Sequence, residues 1–217
     1  MTITFTPSWT DDAAGTRVVI APQALARGSV VRGTLALAGK HGAYLFVGVG
    51  RGGTTALTNG VQVEIRRTLN AGAILTPGAP WASFLSQTAA AILKAINLGA
   101  GYPAGSSAFE VDGTGTPAAD EDYACWGVDA IPAGGTALPK LEFVRVSKFS
   151  GTTLTIDAPC KQVKVDNEIL TSKADQWWVW VPGGCTVEVI IDYGDDAAGE
   201  AVAVVCYAQT LDSEQGA

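Results

Sequence analysis

Residues 28–69, GSVVRGTLALAGKHGAYLFVGVGRGGTTALTNGVQVEIRRTL, place apolar side chains at alternate positions in three successive segments. Val31, Leu35 and Leu37 share one face of the first. Leu45, Val47 and Val49 share a face of the second, and Val61, Val63 and Ile65 a face of the third. A period of two belongs to the pleated strand, because successive side chains point to opposite sides of the sheet. Gln62, Glu64 and Arg66 fill the other face of the third segment, the pattern of an antiparallel sheet buried on one side. Glycine-rich turns separate the three. The stretch therefore predicts an all-β chain with an antiparallel sheet at its centre.

Long alternation returns near the C-terminus in DQWWVWVPGGCTVEVIIDYGDDAAGEAVAVVCYAQT. Trp177, Val179 and Val181 point one way, and Trp178 and Trp180 the other. Val187, Val189, Ile191 and Tyr193 line one face of the next strand, and Val202, Val204 and Cys206 a face of the last. Between the two blocks, residues 103–160 carry four short strand patterns near 107–111, 123–129, 141–148 and 153–157. Turns rich in Gly, Pro and Asp separate them, which suits a compact barrel-like module. The expected architecture is an antiparallel β-sandwich from residues 1–102 and 162–217, interrupted by a small β module at 103–161. One short helix is expected within WASFLSQTAAAILKAIN, where Trp81, Phe84, Leu85, Thr88, Ile92 and Ile96 approximate a helical stripe.

Charged residues make up only 16% of the 217. An ordinary soluble domain carries roughly 25%, and mean hydropathy here is +0.23. No apolar run reaches the length of a membrane-spanning helix. A chain so short of charge is expected to hide surface against other chains, with a large monomeric core as the alternative. The segment Thr68–Phe109 sharpens this, since Lys94 is its one charge in forty-two residues. It is the best candidate for subunit contact, together with the Thr-rich arm at Thr2, Thr4 and Thr6. The net charge of −7 and the lack of a basic cluster beyond Arg66–Arg67 disfavour a nucleic-acid surface, which needs a basic stripe. The opening MTITFTPSWTDDAAG lacks the basic and apolar regions of a secretory signal.

Candidate chemistry is sparse. GVGRGG matches G-x-G-x-x-G through Gly48, Gly50 and Gly53, but dinucleotide binding needs a helix next, and TTALTNGVQVEIRR reads as turn and strand. His41, the one histidine, lies in a GKHG turn and is expected to be a solvated loop residue rather than a catalytic base. Asp192, Asp195, Asp196 and Glu200 crowd one turn, whereas glycosidase carboxylates face each other across a cleft. That turn reads as a hairpin, with a weak calcium loop as the lesser alternative. Asp120–Glu121–Asp122 reads as a solvated loop. Cys125, Cys160, Cys185 and Cys206 lack metal-ligand spacing and are expected to be buried thiols. No catalytic, cofactor-binding or metal residue is assigned. The tryptophan row at 177–180 is the remaining candidate, as core, as interface anchor or as a stacking surface for sugar rings.

Three blocks carry a resemblance. RGTLALAGKHGAYLFVGVGRGGTTALTNGVQVEIRRTLN is similar to a family of tailed-bacteriophage virion proteins in which a G-K-x-G-A strand, a GGTTAL turn and an IRR-type strand recur. ADQWWVWVPGGCTVEVIIDYGDDAAGEAVAVVCYAQT resembles that family's C-terminal block, and LEFVRVSKFSGTTLTIDAP the strand–turn–strand of a small inserted module. Together they cover about 95 residues, and no catalytic motif belongs to them. The resemblance implies a non-enzymatic virion structural protein, assembled in the bacterial host cytoplasm. Its implied partners are other virion proteins and copies of itself, not nucleic acid or membrane. Capsid decoration or cementing is the leading role and a tail, neck or fibre component the second. A carbohydrate- or receptor-binding module is the rival from another class.

Overall fold

The computed structural model describes residues 16–51, 57, 59–68, 74–75, 81–84, 92–125, 141–194 and 201–212. They are strand and loop throughout. The chain begins with β1 (Thr16–Leu25), β2 (Ser29–Ala36), β3 (Lys40–Arg51) and β4 (Val61–Thr68). Short strands follow: β5 (Ile74–Leu75), β6 (Trp81–Phe84), β7 (Leu93–Ile96), β8 (Ala108–Thr114) and β9 (Asp122–Cys125). Then come β10 (Glu142–Ser150), β11 (Thr153–Ile156), β12 (Ile169–Pro182), β13 (Thr186–Tyr193) and β14 (Val202–Asp212). All pairings among them are antiparallel.

Two sheets face each other. One runs β1-β14-β3-β12; the other runs β2-β13-β4, with β5 and β6 both pairing with β4. Their inner faces are the alternating apolar sets of the sequence. Leu45, Val47 and Val49 of β3 meet Val61, Val63 and Ile65 of β4 and Val187, Val189 and Ile191 of β13 in one core, completed by Val202, Val204 and Cys206. Each fully buried Leu, Ile or Val contributes roughly 1.5–3 kcal/mol relative to exposure. A one-residue slip of any of these strands would turn its whole apolar set to the outside. The pattern thus fixes the register as well as the class.

The first sheet does not stop at β12. It continues through β7, β8, β11, β10 and β9, and β9 hydrogen-bonds back to β12, so six strands curl into a barrel-like ring. This ring draws in β7 and the start of β12 from outside residues 103–161. The long strand β12 joins both parts: Ile169–Ser172 pairs with β7, while Ala174–Pro182 pairs with β3. Phe109, Val111, Tyr123, Val146, Leu154 and Leu170 fill the ring's interior.

The expected helix is not formed where the structure describes its span. Trp81–Phe84 is strand, paired residue for residue with Val61–Glu64, and Leu93–Ile96 is strand in the ring. The physical reason is the edge of β4, whose unpaired N–H and C=O groups are satisfied by a short aromatic-containing strand. Residues 85–91 lie outside the described residues, as do the N-terminal arm at 1–15, most of the 192–200 turn and Gly53. Glycines 48 and 50 lie inside β3, and the next element is β4, a strand.

Candidate functional site

Among the described residues, the outer face of the β1-β14-β3-β12 sheet is covered at one end only. There the ring folds back on it: Ala124, Leu141 and Phe143 from the ring pack on Phe46, Ala174, Ala203, Val205 and Tyr207. Gly48 is required at this contact, because a side chain there would run into the Phe143 ring. The burial of β3 records the change along its length. From Phe46 onward both faces are buried, whereas Tyr44, two residues earlier on the outer face, is half exposed.

Beyond the ring's reach the outer face carries an open row of aromatic side chains. Tyr44 is 50% exposed, Trp178 45% and Trp180 37%. Register sets them side by side, since Trp180 lies opposite Tyr44 and Trp178 opposite Phe46 in the β12–β3 ladder. Ring centroids are 4.9 Å apart for Tyr44–Trp180 and 4.7 Å for Phe46–Trp178, both tilted. His41 adds a fourth ring 5.7 Å from Trp180. Gly42 makes room for the Trp180 indole, which would collide with a side chain at that position. Polar groups rim the row. Lys40 pairs with Asp212 at the end of β14, and Gln209 stands opposite Tyr44 in the β14–β3 ladder.

Of the two tryptophan faces foreseen from the sequence, Trp177 packs on the sandwich core with Val179, and Trp178 and Trp180 form the open row. His41 is exposed, as expected, but it belongs to strand β3 and to the aromatic row rather than to a turn. Sequence reading missed Tyr44. Its signal was present: Tyr44 and Phe46 alternate with Leu45 and Val47, so they share the outer face of β3.

A second cluster was also missed. Lys164 is fully buried, and its Nζ donates to Glu142 Oε2 at 2.7 Å. The other Glu142 oxygen accepts the backbone N–H of Lys161. Glu168, also buried, accepts the N–H of Val165. Burial opposes the Lys164 charge, but the acidic groups around it, the Cys125 thiol, Glu142 and Glu168, outweigh this and hold its pKa above the usual lysine value. Lys94, the lone charge of the 68–109 segment, is buried in the ring, donating to Gly113 O with its ammonium over the Phe149 ring. Burial lowers its pKa, partly offset by Asp112.

The remaining sequence candidates are dispersed. Asp120 is highly exposed, and Arg145 bridges Asp120, Asp122 and Asp157 on the ring surface. Asp192 lies in β13 opposite Val30 and Gln62; Asp195, Asp196 and Glu200 lie outside the described residues. All four cysteines are buried free thiols, and burial pushes the thiols of Cys125 and Cys206 far up, away from the reactive thiolate. Among the described residues no three His, Cys, Asp or Glu side chains converge as a metal site would need, and no helix is long and apolar enough to cross a membrane.

No family model, curated protein or solved structure matches this chain.

Proposed function

We propose that this chain is a non-enzymatic structural protein of a tailed-bacteriophage virion, with decoration or cementing of the outer capsid as its role. The observation that carries the reading is the placement of the resembling blocks. Residues 32–70 and 174–210 supply β3, β4, β12, β13 and β14, the strands at the middle of both sheets. The third block, 141–159, supplies β10 and β11 of the ring. The resemblance therefore runs through the frame of the fold and not through a detachable motif. A charge content of 16% supports an assembled state, in which part of the surface is covered by the major capsid protein or by copies of the same chain. The location is the virion, put together in the host cytoplasm.

Quantitative mass spectrometry of purified particles from the virus that encodes this chain tests the reading. Decoration requires copies in the hundreds per particle. A handful of copies would move the protein to the tail, neck or fibre, and absence from particles that contain their other structural proteins would overturn the virion assignment.

A further inference from the structure

We propose that the open aromatic row on the outer face of the sandwich is a glycan-binding site, made by Tyr44, Trp178 and Trp180 and rimmed by His41, Gln209 and the Lys40–Asp212 pair. This goes beyond the structural role and does not depend on it.

The chemistry of the row argues for a sugar. A pyranose ring offers an apolar C–H face and a rim of hydroxyl groups. Indole and phenol side chains offer the complement, an apolar ring face with a hydrogen-bonding edge. At Tyr44, Trp178 and Trp180 such rings are held on strands, not on loops, with the orientation of Trp180 set by its seat over Gly42. Trp178 and Trp180 are two residues apart on one face, about 7 Å along the strand. A ligand lying along β12 thus meets successive rings. The rim brings a carboxylate, an ammonium, an amide and an imidazole to the edge of the row, the polar groups that orient hydroxyls in a site whose floor is apolar.

The size of the patch suits a short oligosaccharide. An aromatic side chain has roughly 150–250 Å² to bury, so three half-exposed rings with exposed Leu211 nearby in β14 present on the order of 300–400 Å². A stable protein interface takes about 800 Å² per partner. By itself the row supplies half of that area or less, and it is wide enough for a short oligosaccharide. An extended β-linked chain, which keeps its ring faces in line, fits a straight strand best.

Isothermal titration of the full chain with soluble tetrasaccharides tests this, using β-1,4-linked glucose, β-1,4-linked N-acetylglucosamine, α-1,4-linked glucose and β-1,4-linked mannose. The expected result is saturable binding of at least one β-linked chain. Trp178→Ala and Tyr44→Ala, on different strands, should each weaken it by about tenfold or more, the scale of a lost stacking contact. Val163→Ser, at an exposed apolar residue of the ring, should leave it unchanged. Circular dichroism and a cooperative melt show that each variant folds, and having two strands to mutate keeps the test open if one variant does not. The proposal is overturned if none of the four sugars binds at several-millimolar concentration, or if binding survives both aromatic substitutions. It is equally overturned if sedimentation finds a dimer that Trp180→Ala converts to monomer, which would make the row a contact between copies.

Discussion

The sandwich and the ring are made from one continuous sheet, yet they are held in different ways. The sandwich core is an alternating set dominated by Val, Ile and Leu residues, with one buried charge, Arg51, at the end of β3. The ring, with shorter strands and irregular register between Val146 and Lys148 and between Ile169 and Thr171, buries Lys164, Lys94 and Glu168 among its apolar residues, with Glu142 partly buried against Lys164. In the sandwich a slipped register is punished eight or more residues at a time along strands such as β4 and β13. In the ring, strands of four residues such as β7, β9 and β11 carry too few side chains for that penalty to select one closure. A buried ion pair can do so, because only one closure brings Lys164 and Glu142 together. Such a pair is a poor source of net stability against apolar replacements but a strong discriminator between arrangements.

The largest expected effect tests this contrast directly. Lys164→Ala strands the Glu142 carboxylate in the ring and should cost about 3–5 kcal/mol, read as a fall in the urea midpoint. Glu142→Leu combined with Lys164→Met should regain most of that. If the pair selects the closure, the double variant should also show faster amide exchange in β7 and β9 than in β3. A single variant costing less than about 1 kcal/mol, the worth of an exposed pair, would break the comparison. Next, Leu45→Ala in the middle of the sandwich should cost about 2–5 kcal/mol, as buried leucine truncations do. Because β12 runs through both parts, either variant should melt in one transition by fluorescence and by circular dichroism alike. Two separated transitions would mean that the shared strand does not couple them.

A smaller effect is expected where the ring lies on the sandwich. Gly48→Ala pushes a methyl group into the Phe143 ring and should destabilise by about 1–3 kcal/mol through overpacking. Phe143→Leu in the same chain, which removes the atoms in the way, should recover part of it. If Gly48→Ala is silent by urea titration, the ring is not pressed against β3 as the structure has it.

The two regions also differ in how legible they were. Period-two runs at 31–37, 45–49, 61–65, 187–193 and 202–206 announced the sandwich because one side of each strand faces a dry core. The ring's four middle strands were visible from their turns. Its inner polar cluster was not, since the run Val163–Lys164–Val165 is inverted: both valines are about half exposed while the lysine is wholly buried. Alternation reports the face but not which face is inside, and here the bridge between Tyr102 and Lys164 and the carboxylate of Glu142 decide it. The failed helix has a similar origin. WASF suits a strand as well as a helical turn, and the unpaired edge of β4 is a long-range demand that a local stripe cannot express. For the aromatic row, the tryptophans were conspicuous, but knowing that they stay open required knowing where the ring ends.

The smallest expected effect is on stability at alkaline pH. Burial raises the Tyr123 phenol to about 12, with the Ala118 N–H pulling it down and Glu121 pushing it up. A group whose pKa is raised by folding contributes stability that is complete below its unfolded value, near 10 for tyrosine, and lost as pH climbs through its folded value. Lys164, also raised, has the same sign, with its loss beginning above 10.5. Lys94 has the opposite sign, since its lowered pKa makes its burial less costly as pH rises toward 10.5. All three side chains belong to the ring, where Tyr123 fills the interior beside the raised Cys125 thiol; in the sandwich strands, burial also pushes up the Tyr207 phenol and the thiols of Cys206 and Cys185. Between pH 10 and 12, the ionisation of Tyr123 should therefore withdraw stability from the ring, read as faster amide exchange in β9. Tyr123→Phe removes the ionisable group while keeping the ring volume, and should flatten the fall in the urea midpoint over that interval. If the fall keeps its full slope in Tyr123→Phe, the alkaline loss originates in other groups and the Tyr123 phenol is not held as the structure has it.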